Sequence, residues 1–353
     1  MQNTFSELQN QIEQALNKAL NMDFTKDWQN QSFGELPESI CANPVFIQNL
    51  IEPNKALMDL GGKRWRPILL MLCYQMAKEN PKNAGRALDR ETALSLTPLV
   101  EFVHTASLIH DDIEDSADLR RGKPAAYITY GTDTALNCAS WLYFEAPVCL
   151  QNSLLTPEQK LTFYTLYTNE LRRLHLGQAM DIYWHKNKDI FPKQEEYYAM
   201  VRSKTGTLAS LAAQVGMTAG GATKEDSQQA GNVAAEIGIG FQIIDDVINL
   251  TKGNPGKKRG DDIVEGKKSL PVLIHIQENP QDKEKICALM EQAGKEGIDS
   301  AAVEECISIL QSSGCIQKAA AIGKDFITSS CAKFKDSPLI TQLFTSMIPE
   351  DFR

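Results

Sequence analysis

Apolar residues recur along this chain with helical spacing and almost never alternate as in a strand. Residues 5–20 place Phe5, Leu8, Ile12 and Leu16 on one face, which predicts an amphipathic helix. Residues 23–46 carry Gly, Pro, Asn and Ser and read as loop or broken helix. A helix is expected from Pro67 to Met76, with the proline in the first turn where its missing N–H costs nothing. Thr92 to Asp115 reads as a long apolar helix, adjusted at Pro98. Further helices are expected over 132–151, 157–185, 194–219, 226–251, 268–277, 282–292, 300–311, 315–333 and 336–347. Gly253–Gly260 is a basic, glycine-rich loop. No hairpin signal, internal repeat or low-complexity linker interrupts the pattern. The expectation is an all-α fold, one domain over 1–353, with its helices bundled around an apolar cavity.

Composition narrows the class. Of 353 residues, 42 % are hydrophobic, enough for a sizeable core. The net charge of −9 gives no reason to expect nucleic acid as a partner. The eight cysteines lack CxxC spacing, which argues against a zinc cluster and suits a reducing compartment. The N-terminal stretch MQNTFSELQNQIEQALNKAL has neither a basic start nor a continuous apolar segment. No uninterrupted apolar run reaches the roughly 18 residues of a membrane span. A cytoplasmic protein without a transmembrane segment is expected.

The chemistry begins at His110-Asp111-Asp112-Ile113-Glu114-Asp115, which closes the long apolar helix. Asp111 and Asp115 are four apart, so their carboxylates share a face about 6 Å apart along the axis. Like charges repel there, and a helix C-terminus disfavours anions. Hard divalent cations and a polyphosphate would account for the arrangement; a solvated acidic helix end is the plainer alternative. A second cluster, Phe241-Gln242-Ile243-Ile244-Asp245-Asp246-Val247-Ile248-Asn249, argues against that alternative. It sits on another apolar helix, with Asp245 and Asn249 at i, i+4. Two such clusters facing across a cavity could hold several Mg²⁺ ions, because magnesium takes a few carboxylates plus substrate phosphates. The five histidines show no paired transition-metal spacing.

Basic runs accompany both acidic ones. Lys63, Arg64 and Arg66 lie on a glycine turn entering a helix, Arg120 and Arg121 follow the first acids, and Lys204 opens a Lys-Thr-Gly turn. Lys257, Lys258, Arg259, Lys267 and Lys268 follow the second acids. Arginine forks and helix N-termini grip phosphate oxygens. Any one run alone would ordinarily be solvated surface; their pairing with the acids in an acidic chain argues for function.

The ordered segments GGKRWRP, LIHDDIEDSADLRRG, KTG, GFQIIDDVINL and GKKRGDDIVEGKKSLP resemble those of the trans-isoprenyl diphosphate synthases, over about residues 55–275. DDIED, LGQAMDIYWHKN, EEYYAMVRSKTG and DDVINL resemble the geranylgeranyl diphosphate synthases in particular. The resemblance implies the isoprenoid synthase fold, motifs over 61–271, a homodimer and about three Mg²⁺ ions per site. It implies that Lys63, Arg66, His104 and Arg121 grip isopentenyl diphosphate. Arg120, Lys204, Lys257 and Lys267 would hold the allylic diphosphate, with Mg²⁺ on Asp111, Asp112, Asp115, Asp245 and Asn249. Asn249 stands where many relatives have a third aspartate. Thr205 and Gln242 would lie beside the allylic chain and stabilise developing cation charge. The tryptophan and tyrosine of 181–184 read more simply as packing.

The hydrocarbon tail is expected to run from Asp111 along Ser107 and Val103, flanked by Ala106; Val103 lies about 12 Å away at 1.5 Å per residue. Bulky residues at Tyr143-Phe144 close the tunnel at geranylgeranyl length in the subgroup resembled; plain core packing is the alternative. A longer polyprenyl product, a terpene cyclase and a non-catalytic synthase subunit remain as rival readings. The second set of phosphate-gripping cations argues against a cyclase, and two retained acid clusters argue against an inactive subunit.

Overall fold

The computed structural model describes residues 2–41, 43–151, 154–253, 258–334 and 337–353. The chain divides into two compact units, Met1–Asn169 with Leu211–Gln229, and Glu170–Ser210 with Ala230–Arg353.

In the first unit, the N-terminal helix Gln2–Ala19 buries Leu8, Ile12 and Leu16, as its amphipathic pattern requires. The stretch expected to be loop is largely helical: Lys26–Phe33, Glu38–Cys41 and the start of Val45–Asp59. Thr25 caps the first of these by accepting the Trp28 N–H at 3.3 Å. Burial of Trp28 and stacking of Phe33 on Trp141 (5.9 Å between centroids) hold it in place. Packing thus overrides a composition that reads as loop, and Pro53 is tolerated inside the third helix. The long apolar helix is two pieces, Arg90–Ser95 and Pro98–Glu114, with the break at Pro98. By length and mean hydropathy (1.2) Arg90–Glu114 could cross a membrane, but 67 % of that window is buried within the protein, as in a core helix. Pro98–Glu114 packs on Thr132–Glu145, which also receives Val45–Asp59. The helix expected over 132–151 ends at Glu145 and resumes at Val148–Gln151, interrupted at Pro147.

A two-residue antiparallel pairing, Leu119–Arg120 with Lys123–Pro124, is the sheet among the described residues. Its turn residues, Arg121 (φ 53°) and Gly122 (φ 76°), both have positive φ, as a tight hairpin demands. The sequence lacks the usual Asn-Gly signal because arginine occupies the first of these positions.

In the second unit, Pro157–Lys186 continues beyond Glu170, and the stretch 194–219 is broken by one π-helical turn, Arg202–Gly206, between Gln194–Val201 and Thr207–Ala219. The C-terminal helices Leu270–Glu278, Lys283–Glu296, Ala301–Ser312, Cys315–Cys331 and Pro338–Thr345 follow expectation closely. A short helix, Asp261–Glu265, lies where none was expected. The core here is built from Trp184, Tyr197, Ile243, Val247, Leu270 and Ile286 and their neighbours.

Candidate functional site

The first unit carries one set of predicted residues. Gly61 (φ 77°) and Gly62 (φ 148°) turn the chain into the helix Trp65–Glu79 through Arg64, itself left-handed at φ 46°. The three cations of this run separate. Arg64 is buried and structural: it donates to Glu13 (2.7 Å), Glu101 (2.7 Å) and the Met58 carbonyl (2.6 Å). Burial works against its charge, but the two carboxylates outweigh this and raise its pKa. Lys63 is exposed. Arg66 lies 4.3 Å from the Trp65 ring centroid, a cation–π contact.

Arg121 reaches from the hairpin to this turn. It donates to the Gly61 and Leu57 carbonyls, and its guanidinium is where a Cβ on Gly62 would be, 3.1 Å away. His104 is pushed well below its ordinary pKa, first by burial and then by Arg66, Arg121, Arg120 and Arg64. Three of the four residues assigned to one diphosphate, Arg66, His104 and Arg121, are therefore neighbours, with a neutral imidazole among guanidiniums. Such crowding of like charge is what a polyanion would relieve.

Asp111 and Asp115 share the partly exposed face of Pro98–Glu114 with His104 and Ser107. Asp112 does not. It is 1 % exposed and accepts two hydrogen bonds from Arg120, through Nε (2.8 Å) and Nη2. The residue before the cluster, His110, stacks on Tyr143 (5.5 Å) and lies within 3.4 Å of its hydroxyl and 3.3 Å of Ser140 Oγ. This joins the acidic helix to Thr132–Glu145.

The tail-lining expectation changes here. Val103 and Ala106 have no exposed surface and belong to the core, whereas Ser107 keeps some. Tyr143 is buried, but Phe144 is 77 % exposed. Consecutive helical residues diverge by about 100°, so both rings cannot face one interior space. Phe144 does not wall one within this unit.

The second unit carries the other set. Lys204 and Thr205 lie in the π-helical turn, a departure common at functional sites. Three glycines make room for it: a Cβ on Gly177 would stand 2.3 Å from Lys204 N, one on Gly206 2.8 Å from the Ala235 carbonyl, and one on Gly238 2.6 Å from Gly206 Cα. Lys204 donates to Asp181 (2.6 Å), whose other oxygen lies 3.0 Å from His185 Nε2. Burial would raise the Asp181 pKa, but Lys204, His185 and Lys267 draw it far below the carboxylate range. Thr205 donates to Gln242 Oε1 (2.9 Å), and Gln242 Nε2 donates to Asp246 Oδ1 (3.1 Å). Asp246 Oδ2 accepts from the Tyr197 hydroxyl (2.6 Å) and the Leu270 N–H (3.2 Å). Burial lifts the Asp246 pKa to about 6 against the pull of these three donors.

Asp245 is partly exposed, but Asn249, four residues on, is 1 % exposed and its Oδ1 accepts the Asp262 N–H at 3.3 Å. Its amide tethers the short helix Asp261–Glu265, so the pair does not present two free donors. Lys267 pairs with Glu265 and lies 3.7 Å from Asp262. Lys257 lies outside the described residues. Trp184 is core packing, while Tyr183 is 55 % exposed. Asp181 and Tyr197 are candidates given no role in the sequence, where each is a polar group in an otherwise apolar run; Asp246 lies within the second acidic cluster, but its bonds to Gln242, Tyr197 and Leu270 are not readable there.

Among the described residues, no group of three His, Cys, Asp or Glu side chains could hold a metal ion by itself. The available donors are carboxylates on helices, a hard-oxygen set of the kind magnesium supplements with water and phosphate.

The chain is all-α, and two of its apolar helices carry acids, each followed in sequence by basic residues. Residues 47–310 match the family described as Polyprenyl synthetase, and the chain belongs to that family; it is a trans-prenyltransferase with the isoprenoid synthase fold. It is 36 % identical over 258 residues to a geranylgeranyl pyrophosphate synthase of Neocamarosporium betae, covering 72 % of this chain and 68 % of that protein. It is 33 % identical over 269 residues to a short chain isoprenyl diphosphate synthase of Methanocaldococcus jannaschii, covering 75 % and 77 %. The crystal structure of geranylgeranyl pyrophosphate synthetase from Pyrococcus horikoshii superposes with a TM-score of 0.76 at 25 % identity, covering 98 % of this chain and 99 % of that one.

Proposed function

We propose that this enzyme joins isopentenyl diphosphate to an allylic diphosphate and releases geranylgeranyl diphosphate, acting as a homodimer in the cytoplasm. The observation that carries the substrate reading is the placing of Arg66 and Arg121 around neutral His104, which supports a diphosphate site in addition to the one assigned to Arg120 and metal. A terpene cyclase has no use for it. The names of the relatives support the product, with a longer polyprenyl chain as the alternative. The exposed apolar side chains Leu136 and Phe144 on Thr132–Glu145 support a subunit contact there. Eight free cysteines suit a reducing compartment. A single family match from 47 to 310 supports reading the chain as one catalytic domain.

The proposed ligands for Mg²⁺ narrow to Asp111, Asp115 and Asp245, since Asp112 is committed to Arg120 and Asn249 to Asp262. Mg²⁺ held by these carboxylates would offset the charge of the allylic diphosphate and make it a better leaving group. Arg120, Lys204 and Lys267 hold that diphosphate, with Lys257 as a further candidate. The allylic C–O bond breaks and its electron pair departs with pyrophosphate. Lys63, Arg66, His104 and Arg121 hold isopentenyl diphosphate so that its double bond forms the new C–C bond. A proton is then lost to the released pyrophosphate, and no protein base is required. Oxygens of Thr205 and Gln242 face the electron-poor chain.

Incubation with isopentenyl diphosphate, farnesyl diphosphate and Mg²⁺ should release pyrophosphate and give geranylgeranyl diphosphate by chromatography. Asp111→Ala should abolish turnover while leaving the fold intact, because it removes a repelling carboxylate rather than a core contact. Near wild-type turnover in that variant refutes the metal assignment.

A further inference from the structure

We propose that Asp246 is a positioning residue that fixes the direction of hydrogen bonding through Gln242 to Thr205, so that Thr205 turns oxygen lone pairs, not a proton, toward the electron-poor prenyl chain. The inference rests on the placement of Thr205 and Gln242 beside that chain proposed above.

The direction follows from what each group can do. A carboxylate only accepts; a main-chain N–H only donates. The Leu270 N–H and the Tyr197 hydroxyl both donate to Oδ2 of Asp246, at 3.2 and 2.6 Å. Oδ1 is left to accept from Gln242 at 3.1 Å, so the Gln242 amide must present its NH₂ to Asp246. Its carbonyl oxygen then faces Thr205 at 2.9 Å and carries no hydrogen. The Thr205 hydroxyl, which would otherwise rotate freely, has to donate to it. Its remaining lone pairs point away from Gln242. Asp246 (5 % exposed) and Thr205 (8 %) are buried, where an oriented dipole is worth more than in water. The π-helical turn and its three glycines fix where Thr205 stands; Asp246 fixes which way its hydroxyl points.

Asp246→Asn keeps the shape and reverses the logic. The new amide cannot aim its NH₂ at the Leu270 N–H, donor against donor, so it aims it at Gln242. Gln242 must flip, its own NH₂ then donates to Thr205, and the Thr205 proton is turned outward. A second change should restore the direction: in Asp246→Asn/Gln242→Glu the introduced carboxylate accepts from both Asn and Thr205. Wild type, the single variant and the double variant are compared for kcat, both KM values and half-saturating Mg²⁺. The expected result is a roughly hundredfold loss of kcat in Asp246→Asn, KM values and Mg²⁺ requirement near wild type, and recovery of most of kcat in the double variant. Wild-type kcat in Asp246→Asn overturns the inference, as does a raised Mg²⁺ requirement without rescue, which would make Asp246 a metal ligand. Should Asp246→Asn fail to fold, Gln242→Met interrupts the same path without touching the acid; unchanged kcat there overturns the inference. An inactive wild-type enzyme would instead overturn the proposed function.

Discussion

Gly238 and Gly206 meet backbone to backbone: a Cβ on Gly238 would lie 2.6 Å from the Gly206 Cα. Neither partner is a flexible side-chain end, so nothing there can swing aside. Gly238→Ala should therefore push the π-helical turn and displace Lys204 and Thr205. The expected outcome is a loss of about 1–3 kcal/mol in stability and on the order of a hundredfold in kcat, since displacement of reacting groups by about 1 Å costs that much. Thermal melting and steady-state kinetics on the purified variant check both.

Arg64 and Lys63 are adjacent but should behave oppositely. Arg64→Ala leaves Glu101, whose side chain is 3 % exposed, without its partner and should cost about 3–5 kcal/mol. Lys63→Ala should leave melting unchanged and raise the KM for isopentenyl diphosphate roughly tenfold or more, as a charge-assisted contact is worth about 1.5–3 kcal/mol. An equal rise in the allylic KM would refute the division into two pockets.

The charge run 63–66 is legible in the sequence, but the split of its members between grip and strut is not. Spacing along a turn does not say which side chain points inward, and Arg64 is recruited by Glu13 and Glu101, 51 and 37 residues away in sequence. The same holds for Asp246 and Tyr197, separated by 49 residues. The helices and the acidic faces were readable because periodicity and i, i+4 spacing are local. Residues 23–46 were not, because a few aromatic contacts outweigh a loop-like composition. Asn249 reads as a weakened metal ligand in sequence and is a tether in three dimensions.

Product length should respond at Ser107 rather than at Ala106. Ser107 retains exposed surface on the same helical face as Asp111, so Ser107→Phe should shorten the main product, read by chromatography of the dephosphorylated alcohols. Ala106 is fully buried. Ala106→Phe should overpack the core, costing about 1–3 kcal/mol. An unchanged product from Ser107→Phe would sink this account of the tail.

Glu145 gives a pH prediction. Burial raises its pKa to about 7, opposed only by the hydrogen bond donated by Ser32 (2.8 Å). The folded state thus binds this proton more tightly than the unfolded chain, whose glutamate titrates near 4.3. Stability from this group is complete below the unfolded value and declines as pH rises to about 7. Glu145→Gln keeps the hydrogen bond and removes the charge. It should flatten the stability curve over that window and gain up to about 3 kcal/mol at pH 8, at about 1.4 kcal/mol per pH unit. Identical melting curves for the two proteins from pH 5 to 8 would refute it.

The N-terminal helix is clasped twice to the turn at 61–66, by Glu13 on Arg64 and by Gln9 on the Gly62 carbonyl (3.2 Å). Anything that loosens residues 2–19, whether a bulky fusion, a protease nick or an antibody, would slacken the turn that aims Lys63 and Arg66. On the proposed function, the outer face of this helix becomes a handle on substrate capture, open to ligands that compete with neither diphosphate.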